Sequence, residues 1–415
     1  MTKTSEELYQ EREKRVTDTI AFNIPDCVPV MLELSYFPAK YTGITCEAPY
    51  YDYDKWLDAN RKTVQDFDPD LVWLYPFFPG KAFDILDPKQ LILPGRGISP
   101  HHAHRFVEDE FMKDDEYESF MEDRTDFMLR SFLPRIMGAL EPFKNLPPFF
   151  MMTHDYMEAA FLAESLASPE VIKALDALLN AGREILKWRD KMVAFSNEIE
   201  KLGYPLHGTI GVSMPFDVLS YHFRGLHGIY MDMFRQPDTL LKAMDSLLKT
   251  QMQKVIMKAK NGGRKRVFFA LHRGADDFMS PEQFDTFYWP YAKKLIQAVV
   301  DEGYTPCLFL EGNYTSRLEH FLELPKGKVL GRFDRSDLRK AKEILHGHMC
   351  IMGDVPSVLL QLGSADEVEE YCKNLIDSVG KDGGLIVAPR SSIDEAKPEN
   401  IKRMVDFTKE YGRYT

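Results

Sequence analysis

The stretch KRVFFALHRGADDFMSPEQFDTFYWPYAKKLIQAVVDEGYTPCLFLEG (265–312) decides the fold class of this chain. It begins and ends with short apolar runs, 265–274 and 305–312, whose composition is typical of buried strands. Between them lies a longer helical pattern, 280–303, which opens with Ser280, a good N-cap residue. A strand, a helix and a second strand in this order predict a parallel sheet with a crossover helix.

The same alternation continues toward the C-terminus. Further strand candidates are GKVLGRFD (327–334), HMCIMGDVP (348–356) and GGLIVAPRSS (383–392). The upstream candidates are less regular and lie at 27–36, 70–77, 147–155 and 205–213. These candidates outnumber the eight strands of a barrel, so we expect one of them to lie outside it. The pattern predicts an α/β fold, a (β/α)8 TIM barrel.

The barrel is expected to form a single domain, residues 1–415, because no flexible linker interrupts the chain. Residues 1–24 are polar and helical in pattern, which predicts an N-terminal helical extension. Residues 80–146 contain no obvious strand–helix unit. We therefore expect them to form an insertion near the barrel mouth.

Composition excludes several classes of function. The formal net charge of −12 disfavours binding to nucleic acid or to an anionic membrane, both of which require a basic surface. The five cysteines are odd in number and form no CxxC pair, which favours a reduced, cytoplasmic setting. The N-terminal residues have no apolar core like that of a signal peptide, and no apolar run is long enough to span a membrane.

Polar residues follow the carboxyl ends of five successive strand candidates, where a parallel barrel builds its active site. They are His272 with Arg273, Glu311, Asp334, Asp354, and Arg390 with Ser391 and Ser392. An alternative for Asp334 and Asp354 is that they cap the helices that follow, as aspartate often does. Glutamate is a poor N-cap residue, so at Glu311 the pattern favours a functional role.

Histidine and carboxylate together can act as a general acid and base or bind a metal ion. His272 and Glu311 are such a pair, although His272 could also be a structural histidine. A second cluster, His101, His102 and His104, has the composition of a metal site but not a known spacing, and a loop-stabilising role is favoured. Aromatic residues such as Tyr36 and Tyr75 end upstream candidates, which suits an apolar pocket for a small organic substrate. The common nucleotide-binding glycine motifs are absent.

Several segments of the second half resemble the uroporphyrinogen decarboxylase superfamily. They are SMPFDVLSYHFRGLHGIYMDMFRQPDTLLKAMDSLL (213–248), LFLEGNYTSRLEHF (308–321), MGDVPSVLLQLGSADEVEEYCKNLID (352–377) and GGLIVAPRSSIDEAKPENIKRMVD (383–406). The resemblance covers about 205–412 and implies a (β/α)8 barrel enzyme. With it, we expect Glu311, His272 and Asp334 to be catalytic. The residues expected to bind substrate are Tyr36, Phe216, Asp217, His222, Arg273, Asp354 and Arg390.

This chain departs from the superfamily's known patterns in two ways, and both narrow the choice among the superfamily's branches. Uroporphyrinogen decarboxylases carry an arginine-rich N-terminal motif that holds the porphyrinogen carboxylates, and this chain has none. Coenzyme M methyltransferases of the superfamily hold zinc and a thiolate with one histidine and two cysteines. The matching positions here are Phe309, Glu311 and about Ser391, so a soft thiolate site is absent.

The branch that remains is similar to corrinoid-dependent methyltransferases such as anaerobic O-demethylases. The resemblance implies transfer of a methyl group from a small O-methylated, aromatic compound to the cobalt of a separate corrinoid protein. The cobalamin-binding D-x-H-x-x-G is absent here, so a partner protein is expected to carry the corrinoid (cobalamin) cofactor. The resemblance is also compatible with a zinc ion held by Glu311 and His272, and with a homodimer. The alternatives are a small-molecule decarboxylase or lyase, and a catalytically silent barrel that binds a partner.

Overall fold

A computed structural model of the chain describes residues 3–75, 77–149, 156–208 and 211–414. Its strands are β1 (Met31–Leu34), β2 (Leu71–Leu74), β3 (Leu91–Ile92), β4 (Arg105–Phe106), β5 (Gly211–Ser213), β6 (Arg266–Leu271), β7 (Thr305–Leu310), β8 (Leu330–Phe333), β9 (Cys350–Val355) and β10 (Leu385–Pro389).

The strands that follow one another in sequence also lie side by side. Six parallel strands form a sheet in the order β10-β9-β8-β7-β6-β5, and β1 pairs in parallel with β2. Isolated parallel bridges join Val30, just ahead of β1, to Val387 of β10, and Val72 of β2 to Leu206 ahead of β5. The architecture is therefore an α/β fold built on parallel strands, consistent with a TIM barrel.

Helices connect these strands. Within the described residues, the α-helices are α1 (Ser5–Ile20), α2 (Phe37–Thr42), α3 (Ala48–Tyr51), α4 (Tyr53–Phe67), α5 (Gly80–Leu86), α6 (Tyr117–Glu122), α7 (Arg124–Asp126), α8 (Leu133–Ile136), α9 (Tyr156–Leu166), α10 (Pro169–Lys201), α11 (Pro215–Val218), α12 (Gly225–Arg235), α13 (Pro237–Gly262), α14 (Pro281–Gln283), α15 (Trp289–Asp301), α16 (Leu338–Leu345), α17 (Ser357–Leu362), α18 (Ala365–Leu375) and α19 (Pro398–Tyr411). Segments of π-helix occupy Phe127–Phe132, Leu219–Arg224, Phe284–Tyr288 and Ile376–Gly380, and 3-10 helices occupy Gly138–Asn145 and Thr315–Glu323. None of the described helices is both long and apolar enough to cross a lipid bilayer.

Local sequence explains where the second-half helices begin. The Ser280 hydroxyl accepts a hydrogen bond from the backbone N–H of Gln283, and the Ser280 backbone N–H donates one to the Gln283 side chain, which forms a capping box ahead of α14. Ser364 and Glu367 form the same box ahead of α18. Asp337 caps α16, so the aspartate that ends β8, Asp334, is not the cap of that helix.

In its described part, residues 147–149, the strand candidate at 147–155 does not join the parallel strands. Residues 147–149 are not in a strand, and residues 150–155 lie outside the described part of the chain. The other candidates each contain one of the parallel strands β1, β2 and β5–β10. This leaves eight parallel strands among the described residues, in the order that the sequence pattern predicts.

Residues 80–146 contain short helices and the antiparallel pair β3–β4. This segment contacts the residues after β5 and β6. The Glu108 carboxylate accepts a hydrogen bond from Arg273 Nη2 at 3.3 Å, and the Met112 N–H donates to Phe223 O at 2.8 Å. Tyr117 donates to the buried carboxylate of Asp232 at 2.7 Å. The segment therefore lies against the carboxyl-end side of β5 and β6.

The amphipathic helix α1 packs against the amino-terminal half of the strands. Its Val16 and Ile20 share an apolar cluster with residues of six strands: Met31, Leu71, Cys307, Leu330, Cys350, Met352, Ile386 and Ala388. Arg15 fixes the helix there, because its Nη1 lies 2.5 Å from the fully buried Asp70 carboxylate. The other Asp70 oxygen accepts the Val30 N–H at 3.0 Å.

We expect Arg15→Ala to lower the free energy of unfolding by about 3 kcal/mol, because it removes the nearer cation of the buried Asp70 carboxylate and leaves, among the described residues, only Lys409 Nζ, 4.0 Å away. The matched control is Lys14→Ala. Among the described residues, Lys14 pairs with Asp18 one turn away and is largely exposed, so its removal should cost less than about 1 kcal/mol. Urea unfolding followed by circular dichroism measures both. Equal losses for the two variants would contradict this account of how α1 is attached.

Candidate functional site

The imidazole of His272 and the carboxylate of Glu311 meet at the carboxyl ends of two neighbouring strands. β6 and β7 are parallel, and their last residues, Leu271 and Leu310, are register partners. The next residue of each strand is therefore placed side by side. His272 Nδ1 is hydrogen-bonded to Glu311 Oε2, and both side chains remain partly exposed to solvent.

The contact shifts the pKa of both groups. Burial lowers the pKa of His272, but the hydrogen bond to Glu311 and the charges of Asp217 and Glu311 outweigh it, so the pKa lies above 6.5. Burial raises the pKa of Glu311, but the hydrogen bond and charge of His272, with nearby Arg273, bring it below its ordinary value. The pair therefore favours a protonated imidazole beside an ionised carboxylate, which is a charged proton donor at the carboxyl ends of β6 and β7.

The carboxylate of Asp217 holds the end of β6 in place. Asp217 lies in α11, and its side chain is buried. It accepts hydrogen bonds from the backbone N–H groups of Arg273 at 2.9 Å and His272 at 3.3 Å. The hydroxyl of Tyr288 also donates to it at 2.7 Å. Burial raises the pKa of Asp217, although these hydrogen bonds oppose the shift. Asp217 thus acts on the site by positioning the backbone that carries His272.

Arg273 points toward the insertion and is enclosed by aromatic rings. Its guanidinium carbon lies 4.2 Å from the ring centroid of Tyr221 and 5.0 Å from that of Phe278. Nε donates to Ser220 Oγ at 3.2 Å. The Tyr221 ring in turn meets His272 edge-on with centroids 5.0 Å apart. Tyr221 therefore forms one wall beside the imidazole, a placement that the sequence reasoning did not single out.

The remaining strand-end residues are placed farther along the same edge of the sheet. Asp334 accepts the backbone N–H of Gly312, the residue after Glu311, at 2.9 Å. Asp354 accepts the hydroxyl of Tyr371 at 2.7 Å and Arg390 Nη2 at 3.0 Å. Burial raises the pKa of Asp354, while Tyr371 and Arg390 oppose the shift. Asp334 thus braces the loop that carries Glu311, and Asp354 forms a separate ion pair with Arg390.

Tyr36 forms a hydrogen-bonded cluster with the insertion. Its hydroxyl lies 2.6 Å from the hydroxyl of Tyr50 and 2.8 Å from His104 Nδ1, and it accepts the His104 N–H at 2.9 Å. His104 is surrounded by aromatic rings, and burial lowers its pKa. The neighbouring His101 and His102 are exposed. Of the three histidines, His104 has a structural part in this loop.

Two of the expected substrate-binding residues are placed differently from the rest. Phe216 is buried in the main core, with its ring centroid 6.3 Å from that of Tyr288. The His222 side chain is exposed, and its backbone carbonyl accepts a hydrogen bond from Gln90 of the insertion at 3.1 Å. Phe216 has no described contact with the His272–Glu311 pair, whereas desolvation and the nearby charge of His272 lower the pKa of His222.

A buried ion pair between Glu33 of β1 and Arg332 of β8 was missed by reasoning from strand ends alone. Both side chains are almost fully buried. Arg332 also donates to Pro389 O at 2.9 Å, and Ser392 Oγ donates to Glu33 Oε1 at 2.6 Å. A single charged residue inside each of the apolar strands MLEL and LGRF is the signal that could have found the pair, because such a charge needs a buried partner.

The described residues do not assemble a complete metal site. Among them, no group of three or more histidine, cysteine or carboxylate side chains could hold an ion. His272 and Glu311 supply two donors, whereas a catalytic zinc site uses three protein ligands. The cysteines are buried and unbonded to one another, and burial raises the pKa of the Cys307 thiol to about 12. The donor set found here does not by itself fit zinc.

We expect Glu311→Gln to lower the pKa of His272, because the substitution removes the acceptor charge that raises it. Titration of the imidazole by carbon-13 NMR in histidine-labelled protein measures this directly. Asp334→Asn is the matched control, since that carboxylate braces the same loop but does not contact His272. An unchanged His272 pKa in Glu311→Gln, or an equal drop in both variants, would show that Glu311 does not charge the imidazole.

Comparison with known proteins identifies the family. The family model described as uroporphyrinogen decarboxylase (URO-D) matches residues 153–411. A curated uroporphyrinogen decarboxylase from Syntrophotalea carbinolica is 26% identical over 189 residues, which cover 45% of this chain and 52% of that protein. Another from Geobacter sulfurreducens is 23% identical over 175 residues, which cover 42% of this chain and 50% of that protein. The chain thus matches about half the length of these curated relatives.

A solved structure supports the same fold. A methyltransferase from Methanosarcina mazei superposes with a TM-score of 0.62 at 15% identity, covering 96% of this chain and 98% of that one. At this identity the likeness concerns the fold. The resemblance seen in the sequence is confirmed, and because the family model covers more than half of the chain, the protein belongs to the uroporphyrinogen decarboxylase family.

Proposed function

We propose that the protein is a methyltransferase that moves a methyl group from a small O-methylated aromatic compound to the cobalt of a separate corrinoid protein. The observation that carries the proposal is the His272–Glu311 pair, a charged acid at the carboxyl ends of β6 and β7. The similarity in fold to a methyltransferase over nearly the whole chain is compatible with it.

In this proposal, His272 protonates the ether oxygen of the substrate as the bond between that oxygen and the methyl carbon breaks. Before the reaction, Glu311 stabilises the protonated imidazole. During the reaction the proton moves from the imidazole to the oxygen, which departs as a neutral hydroxyl group. The corrinoid of the partner supplies the nucleophile that accepts the methyl group. A general acid of this kind contributes about 10²–10⁴-fold in rate, because without a proton the oxygen would have to leave as a charged phenoxide.

Aromatic side chains around the pair suit an aromatic substrate. Tyr221 lies edge-on to His272, and burial raises its pKa to about 12, so it stays a neutral ring and hydroxyl. Burial raises the pKa of Tyr75, and the charges of Asp394 and Glu311 act in the same direction, so it too stays neutral. Aromatic rings near a proton donor favour a flat apolar group with one reacting oxygen.

Zinc is not needed for this proposal. The described residues supply two of the three protein donors that a catalytic zinc ion requires, so we assign proton donation to His272 and route no step through a metal. We also propose that the eight parallel strands close into a barrel. The bridges of Val30 with Val387 and of Val72 with Leu206 support closure at the two gaps between the sheets.

The second candidate function is a small-molecule decarboxylase, which the names of the curated relatives favour. Charge at the cleft argues against a polyanionic porphyrinogen as its substrate. Arg273 contacts Glu108, Arg390 contacts Asp354, and Arg335 lies near Asp277 and Asp334. Each of these arginines is already paired with a carboxylate, which leaves little free positive charge to hold several substrate carboxylates.

The proposal predicts that Glu311→Gln keeps the fold and loses turnover by about 10²–10⁴-fold, because the imidazole loses the charge that keeps it protonated. The assay follows methyl transfer from methoxylated benzoates to free cob(I)alamin by the visible spectrum of the cobalt. Glu319→Gln is the matched control, because Glu319 is an exposed carboxylate on the 3-10 helix Thr315–Glu323. Circular dichroism verifies that both variants fold.

Near-normal turnover in folded Glu311→Gln would remove the pair from the mechanism. A second measurement separates the two candidate functions: the wild-type protein is incubated with uroporphyrinogen, and released carbon dioxide is followed. Methyl transfer without carbon dioxide release supports the methyltransferase. Carbon dioxide release that is lost in Glu311→Gln would replace it by the decarboxylase.

A further inference from the structure

Three aromatic rings on neighbouring parallel strands form a row that stays partly exposed to solvent. They are Trp73 of β2, Phe268 of β6 and Phe309 of β7. The ring centroids of Trp73 and Phe268 lie 4.0 Å apart, and those of Phe268 and Phe309 lie 6.4 Å apart. These three side chains, the aromatic row, are therefore one continuous apolar surface.

The aromatic row lies on the inner face of the strands, the face turned away from the connecting helices. Side chains alternate between the two faces of a strand. The residues next to the three rings pack in the main core on the helix side: Val72, Phe269 and Leu308. Cys307, two residues before Phe309, is buried in the cluster that α1 closes. Solvent therefore reaches the rings from the other end of the inner face, at the carboxyl ends of the strands.

Gly211 of β5 leaves room beside the aromatic row. It is the register partner of Phe268, so a side chain at this position would point to the same face. Gly211 is exposed, and an added Cβ would meet no described atom within 4 Å. Its φ is not in the left-handed region, so the backbone does not require glycine. Glycine within a strand often marks a close approach by a ligand, and that accounts for it here.

The acid pair stands directly above this space. Glu311 follows Phe309 by two residues, which is about 7 Å along the strand, and side chains two residues apart point to the same face. His272 follows Phe268 by four residues and is paired with Glu311. A molecule resting on the rings would therefore have its upper edge beside the proton donor.

A balanced ion pair borders the aromatic row at Phe309. The guanidinium carbon of Arg332 lies 5.0 Å from the ring centroid of Phe309, and Arg332 is paired with Glu33. Both charged side chains are almost fully buried, so their charges cancel below the surface of the row. Such an apolar floor without net charge suits the face or edge of another aromatic ring.

Building on the proposed function, we propose that the aromatic ring of the methyl donor lies in the space beside Gly211, against the aromatic row. Its methoxy group points up toward His272 and Glu311. The ether oxygen is then within reach of the acid, and the methyl carbon faces the open end of the strands, from which a partner protein has to approach. The absence of a side chain at Gly211 sets the size of ring that fits.

The first test fills the space and measures binding without any cobalt present. We expect Gly211→Leu to raise the dissociation constant of 4-methoxyphenol at least about 10-fold, because the added side chain takes the place of the ring. Ligand-detected NMR titration measures the constant. Gly182→Leu is the matched control, since an added Cβ on that α10 glycine also meets no described atom within 4 Å.

Three results of this titration would overturn the proposal: no binding by the wild type, an unchanged constant in Gly211→Leu, or equal weakening in both variants. Circular dichroism verifies that the variants fold.

The second test asks whether the rings select an aromatic ligand. The wild type should bind 4-methoxyphenol about 10-fold more tightly than 4-methoxycyclohexanol, which has the same size but no aromatic face. Phe268→Leu should lose this preference. Phe269→Leu is the matched control, because that ring lies on the opposite face of β6 and should not affect it. Equal binding of the two compounds by the wild type, or an unchanged preference in Phe268→Leu, would contradict the proposed ring site.

The ring site and the methyltransferase can fail separately. Binding that is lost in Gly211→Leu, without methyl transfer to cob(I)alamin by the wild type, would support the ring site and remove the methyltransferase. Methyl transfer with the same KM in Gly211→Leu as in the wild type would overturn the ring site and leave the methyltransferase standing.

Discussion

One buried carboxylate holds the candidate site together. Asp217 has no solvent contact, and it accepts two successive backbone N–H groups at the end of β6 together with the Tyr288 hydroxyl. Two N–H groups bound by one carboxylate fix the direction in which the chain leaves the strand, and hence where His272 points. Its partner Glu311 needs no such clamp, because β7 already lies in register beside β6. The geometry of the pair thus depends on one side chain and one strand pairing.

This arrangement explains why the pair is charged although it lies in a cleft. An isolated imidazole there would lose its proton to desolvation, and an isolated carboxylate would gain one. Each partner supplies the charge that the other needs, so both shifts are reversed together. The nearby pairs of Arg273 with Glu108 and Arg390 with Asp354 balance their own charges. The electrostatic character of the cleft is therefore set mainly by His272 and Glu311.

The second half of the fold could be predicted from the sequence because each strand and helix there carries its own local signals. Apolar runs mark β6–β10, and serine caps mark the starts of α14 and α18. The first half was harder, because β2 is followed by a long insertion and β5 has only three residues. The candidate at 147–155 had a strand-like composition, but its described residues 147–149 are not in a strand, because composition alone does not provide a neighbouring strand with which to pair.

The placement of His272 beside Glu311 could be anticipated from the ends of neighbouring strands, whereas placements that depend on tertiary contacts could not. His272 and Glu311 could be paired because adjacent parallel strands end side by side. The clamp by Asp217, the aromatic wall at Tyr221 and the buried ion pair of Glu33 with Arg332 all join residues from different elements. Sequence spacing does not specify such contacts. Phe216 shows the converse, since its place in the motif suggested substrate while its ring packs in the core.

The position of α1 has a consequence for the order in which the protein can fold. This helix precedes β1–β10 in the sequence, yet its Val16 and Ile20 share an apolar cluster with residues of β1, β2 and β7–β10. Full burial of these two side chains therefore depends on strands that lie several hundred residues farther along the chain. Contacts between residues so far apart in sequence form slowly, because a long loop has to close first. Attachment of α1 thus marks completion of the fold and makes the first and last parts of the chain unfold together.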